Sequence, residues 1–195
     1  MTKIVDFERQ ARLVVAVAEG ITDEQLSAPT PCPEYRVRHL LGHLVGLTGA
    51  FRDAGRKDLG PGLDQSPGDS LPDVGPEWRV ELPKLLDELV EVWRDPAAYE
   101  GMTRAGGIDL PGAVAGAVAL DELVVHGWDL ARATGQAYAP DEASLAVAHE
   151  LLTPQEGDAS EDSPFGTPVP VPDDAPLLDR VIGLSGRDPG WTPGA

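Results

Sequence analysis

The chain has 195 residues and carries 15 Lys and Arg against 33 Asp and Glu, a formal net charge of −18. That balance rules out most bare nucleic-acid binding, because phosphate recognition needs a basic footprint, and disfavours docking on anionic lipid, so neither nucleic acid nor membrane is an expected partner. Cys32, the single cysteine, leaves no intrachain disulfide, and no secretory leader or apolar run of the ~20 residues that span a bilayer is present, so the expected setting is reduced and cytoplasmic.

Helical periodicity dominates, and 48 Leu, Ile, Val and Phe residues suffice for a core. Phe7, Ala11, Val14, Val15 and Ala18 share one face of a first helix closed by Gly20. Thr22 and Gln25 form a capping-box pattern. Three prolines between Ser27 and Glu34 interrupt regular structure. A second helix is predicted from Val37 to Ala54, with Val37, Leu40, Leu41, Leu44, Thr48 and Phe51 inward. Residues 57–76 are a polar Gly/Pro/Asp crossover loop. A third helix covers 77–94, with Leu82, Leu85, Leu86, Leu89 and Trp93 inward and Pro83 marking a kink or the true start. The most apolar helix runs from Pro111, suited to the first helical position, to Thr134, with Gly135 suited to its end. A fifth covers Asp141 to Leu152, and a short sixth begins at Asp174 and Pro176 and ends before Gly186. No strand alternation is visible. The expected fold class is all-α: residues 1–152 form a helical bundle, and 153–195 an acidic, proline-rich C-terminal strap with a short helix packed on it.

Ionisable groups interrupt the fourth helix. At about 100° per residue, Glu122, His126 and Asp129 fall within the arc that also holds Val118, Ala119, Val125, Leu130 and Ala133. Burying such groups unpartnered costs several kcal/mol each, order of magnitude. A divalent cation satisfies them, since Glu and His at i, i+4 face the same way. A Glu–His hydrogen bond, or an arginine partner such as Arg132 or Arg36, also satisfies them. Helix two offers His39 and His43; His43 looks into the bundle between Leu40 and Leu47, whereas His39 lies about 40° further towards solvent. His43, Glu122 and His126 together form a His₂Glu set compatible with catalytic zinc. His149, beside Leu145 and Leu152, reads as a core or boundary histidine. Cys32 reads as a small buried hydrophobe, or as a thiol near the site serving as fourth ligand or nucleophile, with no cation placed beside it by the sequence. Trp128 is displaced from the ligand face. Walker, dinucleotide-binding, G-x-S-x-G and H-E-x-x-H motifs are missing.

The segments TPCPEYRVRHLLGHLVG, LDELVVHGWDLARATGQ and FGTPVPVPDDAPLLDRVIGLSGRDPGW resemble the actinobacterial metal-binding proteins related to mycothiol-dependent maleylpyruvate isomerase, within the DinB-like superfamily. The resemblance runs from about residue 5 to 192. It implies a DinB-like four-helix bundle holding a divalent metal, usually zinc with Ni²⁺ or Fe²⁺ as alternatives, on His43, Glu122 and His126. It implies a supporting role behind the ligands, or in helix packing, for Asp129. The isomerase carries a further C-terminal α/β domain contributing to its active site; after the bundle this sequence is expected to form only a proline-rich strap and a short helix.

The expected function is that of a metal-dependent transferase or isomerase. The metal activates a low-molecular-weight thiol, mycothiol, for attack on a small electrophile. The alternatives are a metal-dependent hydrolase in which Asp129 accepts the proton of water, and a non-catalytic metal- or ligand-binding bundle. The sequence leaves the oligomeric state open, a homodimer included.

Overall fold

The structure is a computed structural model that describes residues 4–60, 71–153 and 167–193. Most of the predicted strap, and the middle of the 57–76 loop, lie outside these residues. The described residues contain six α-helices and one β-hairpin: α1 Glu8–Glu19, α2 Val37–Arg56, α3 Trp78–Trp93, β1 Met102–Ala105, β2 Ile108–Pro111, α4 Gly112–Thr134, α5 Glu142–Leu152 and α6 Leu177–Leu184.

The amphipathic stripes explain the packing. All six predicted inward residues of α2 are buried, and in α3 Leu82, Leu86, Leu89 and Trp93 are buried, with Leu85 half-buried. Each fully buried Leu contributes roughly 1.5–3 kcal/mol relative to exposure. Trp93 anchors α3 to α2 by donating Nε1–H to the Phe51 carbonyl at 3.0 Å, and its ring lies 5.8 Å from that of Phe7 at the start of α1. In α1 Val15 is only half-buried, and Gln10 is buried instead. The Gln10 amide is tolerated there because it donates to the Leu123 carbonyl at 3.0 Å and the Tyr138 hydroxyl at 2.6 Å.

Helix α4 is the central element and packs against α1, α2 and α5. It is apolar on nearly every face, so three of the polar residues it carries, Asp121, His126 and Asp129, are buried with the rest. Gly127, directly after His126, is required by close approach: a Cβ there would meet the Tyr138 hydroxyl at 2.4 Å. On α2, Gly42 lets residues 71–74 cross tightly, because a Cβ would stand 2.6 Å from the Asp73 backbone. Asp73 also accepts both Nε and Nη2 of Arg38 at 2.7 Å, which pins the crossing strand of chain beside His43.

Four boundaries differ from the sequence reading. Residues 102–111 form a two-stranded antiparallel hairpin, with Ala105 opposite Ile108, where no strand was expected. Its signal was Gly106-Gly107, both at positive φ (58° and 77°) as a two-residue hairpin turn requires. Pro111 therefore ends β2, and the helix starts at Gly112. Pro83 lies inside α3, whose start is Trp78. Helix α2 continues to Arg56, past the predicted Ala54, and ends at Lys57 in the left-handed region. No helix among the described residues is long and apolar enough to cross a membrane.

Candidate metal centre

Helices α2 and α4 bring His43, Glu122 and His126 together, with one ligand atom from each lying within 4.8 Å of the others. Glu122 Oε2 is 2.9 Å from His126 Nε2 and 3.5 Å from His43 Nε2. The two imidazoles meet edge to face at 4.8 Å between centroids. Despite those short distances, Glu122 Oε2 is buried and accepts no directed hydrogen bond. Three donor atoms thus converge without bonding to one another, as they do around a shared cation. Two imidazoles and one carboxylate are a ligand set that Zn²⁺ accepts with positions to spare, so the residues present fit a divalent ion. The side chains of His43 and Glu122 retain 19% and 25% exposure, which leaves the centre open on one side.

Electrostatics reinforce the cluster. Burial opposes ionisation of Glu122, but the two histidines outweigh it and hold the carboxyl well below its ordinary range. Burial likewise opposes charge on His126. The hydrogen bond to Asp129 and the adjacent Glu122 carboxylate prevail and raise the imidazolium to about 9.

Asp129 stands behind His126. Its Oδ2 lies 3.0 Å from His126 Nδ1, the ring nitrogen opposite the one facing Glu122, and the residue is fully buried. A carboxylate here fixes the tautomer in which Nε2 keeps its lone pair for a metal.

Other residues singled out in the sequence fall outside the ligand cluster. His39 accepts from the Arg36 backbone N–H through Nδ1 at 3.2 Å and so caps its own helix. His149 sits half-buried with Nε2 2.9 Å from Arg180 Nη2. Cys32 is free and half-exposed and is not among the convergent donor residues. Its turn is pinned by Thr30, whose hydroxyl donates to the Cys32 and Tyr35 carbonyls. Contrary to expectation a cation, Arg187, does act on the thiol, but burial prevails and pushes its pKa up, so it is not an activated nucleophile. Trp128 is buried, beneath the Arg132 guanidinium at 5.6 Å.

Three residues near the centre were missed. The arginine partner of Asp129 is Arg187, at 3.3 Å, rather than Arg132 or Arg36. Arg132 donates to the Pro189 carbonyl, and Arg36 to that of Ser27. Asp121 is also buried. Burial, then the neighbouring Glu122, pushes its carboxyl up to about 8, so it needs no countercharge at neutral pH. Its signal was available, since an acid on a helix that is apolar all round has nowhere else to go. Tyr35 packs against His43 in a T-shaped ring contact, with the centroids 5.9 Å apart.

Fold and cluster together define a mostly helical protein with a His₂Glu candidate metal centre at a helix–helix junction. Residues 7–131 match the family described as the mycothiol maleylpyruvate isomerase N-terminal domain, and the chain belongs to that family. Two Mycobacterium tuberculosis proteins, both described as uncharacterized, from strains CDC 1551 / Oshkosh and ATCC 25618 / H37Rv, are each 27% identical over 202 residues; the match covers 96% of this chain and 98% of theirs. Crystal structures of the mycothiol-dependent maleylpyruvate isomerase and of a histidine-to-alanine mutant of it align with a TM-score of 0.49 and 17% identity, over 78% of this chain and 72% of theirs.

Proposed function

We propose that this protein binds a divalent metal, Zn²⁺ foremost, through His43, Glu122 and His126, and uses it to activate mycothiol for attack on a small electrophile, as a transferase or isomerase. The observation that carries the reading is the convergence of His43 Nε2, Glu122 Oε2 and His126 Nε2 on one point, with the carboxylate oxygen left without a donor. Membership of a family named for mycothiol supplies the thiol. In this reading residues 1–152 are a DinB-like four-helix bundle, and 153–195 dock on it.

A metal held here supplies a Lewis-acid position at which a thiol loses its proton near neutral pH. The residues of the chain prepare that position. Asp129 holds the Nδ1 proton of His126, so that Nε2 presents a lone pair. Tyr35 packs its ring against that of His43 and supports the imidazole's placement. The raised pKa of Cys32 leaves the nucleophile's role to the incoming thiol. Asp129, the base that metal-assisted hydrolysis would use, is turned away and buried, which weighs for thiol chemistry.

Turnover of mycothiol with monobromobimane tests the reading. Conjugate formation that requires added Zn²⁺ and is lost in Glu122→Ala supports it. Water-dependent turnover without thiol would favour a hydrolase, and tight metal with no open coordination position a binding protein.

A further inference from the structure

We propose that Arg187, from the C-terminal segment, is a positioning residue of the metal centre, acting through Asp129 on His126. The inference rests on the metal reading above.

One oxygen carries the argument. Asp129 Oδ2 is shared by His126 Nδ1 at 3.0 Å and Arg187 Nη2 at 3.3 Å. Asp129 is fully enclosed and the Arg187 side chain is only 17% exposed, so the chain Arg187–Asp129–His126 runs through the protein interior, where charge pairs are poorly screened. A buried carboxylate needs its countercharge, and Arg187 is the guanidinium that touches this one.

The local fold delivers Arg187 to that oxygen. Helix α6 ends in a Schellman motif: the Gly186 N–H bonds the Gly183 carbonyl at 3.0 Å and the Arg187 N–H bonds the Ile182 carbonyl at 3.1 Å, with Gly186 at φ 81°. The turn drives the chain back towards α4, and Arg187 Nη1 donates to the Ser185 carbonyl at 2.7 Å, which fixes the guanidinium plane. The segment is held at three further points: Val181 and Ile182 are buried, Arg180 meets His149, and Arg132 donates to the Pro189 carbonyl. Arg187 is therefore the link by which a segment far from the ligands in sequence reaches His126. A metal that orders His126 orders Asp129 and Arg187 with it, and by reciprocity docking of α6 tightens metal binding.

The experiment uses the full-length protein and Zn²⁺, with affinity measured by competition against a chromogenic chelator. The variants are Arg187→Met, Arg187→Lys, Asp129→Asn and the double substitution Asp129→Asn/Arg187→Met. Outer partners of metal ligands are worth roughly 10- to 100-fold in affinity, and Arg187→Met is expected to lose at least tenfold. Arg187→Lys recovers part of it. The double variant binds no more weakly than Asp129→Asn alone, within about twofold, because Arg187 acts only through that carboxylate. Amide exchange across residues 177–187 slows on zinc addition in the wild type and does not in Arg187→Met. Arg187→Gln replaces the Met variant if the latter does not fold. Wild-type affinity in a folded Arg187→Met or Arg187→Gln variant, or losses that multiply in the double variant, overturns the proposal while leaving the metal site intact. A wild type that retains no zinc overturns the metal reading and this proposal with it.

Discussion

Proton competition at His126 gives a quantitative handle on the metal centre. In the metal-free protein this imidazole lies between Glu122 Oε2 at 2.9 Å and Asp129 Oδ2 at 3.0 Å, and its pKa is raised to about 9. Coordination through Nε2 requires that proton to leave. At pH 7, some two units below the titration, the competition costs roughly 100-fold in apparent affinity, at about 1.4 kcal/mol per unit. Apparent log K for Zn²⁺ therefore climbs by about one per pH unit from about pH 6 to 8 on account of this group and flattens above about 9. Chelator competition, corrected for the chelator's own protonation, measures the slope; calorimetry in two buffers of different ionisation enthalpy measures the released proton. The substitution Asp129→Asn sharpens the test, because the Asp129 hydrogen bond is the leading influence raising the pKa. Its removal relieves proton competition but also loosens the ring, so the variant's deficit is larger at about pH 9.5 than at about pH 6.5. An affinity that is flat across this range, with no proton released, would refute the reasoning.

Other outcomes follow from the same contacts. Replacing Gly127 by Ala forces a methyl against the Tyr138 hydroxyl at 2.4 Å and is expected to destabilise by about 1–3 kcal/mol, read as a lower urea midpoint. Substituting Cys32 by Ser leaves zinc stoichiometry unchanged, since the thiol stands outside the ligand cluster; elemental analysis that finds metal lost would make it a ligand after all. For the metal-free protein, the raised folded pKa of His126 means its stabilising contribution is full below about pH 6.5 and is lost as pH rises through about 9. That contribution is on the order of 3 kcal/mol, and denaturant melts at about pH 6 and 9.5 on wild type and His126→Ala check it.

How much the sequence revealed depended on the range of the signal. The stripes of α2 and α3 were legible because one face of a 3.6-residue period is buried, and the same angular argument placed Glu122, His126 and Asp129 on one face. His43 could be preferred to His39 because their i, i+4 offset still turns the second ring by about 40°. The hairpin escaped notice because its four-residue strands are too short for alternation to register, although Gly106-Gly107 was a turn signal. Arg187 could not be placed: it lies 58 residues from Asp129 in sequence, and only the tertiary docking of α6 brings it in. Asp121 was overlooked for a different reason. An angular layout gives α4 one buried face, whereas the helix is enclosed nearly all round.

Metal content tests the central claim most directly. Purified wild-type protein, His43→Ala and Glu122→Ala would be equilibrated with Zn²⁺, desalted and measured by elemental analysis alongside a check of folding. The account predicts near one zinc per chain in the wild type and a severe loss in both folded variants; undiminished, near-stoichiometric zinc in the two variants would contradict it.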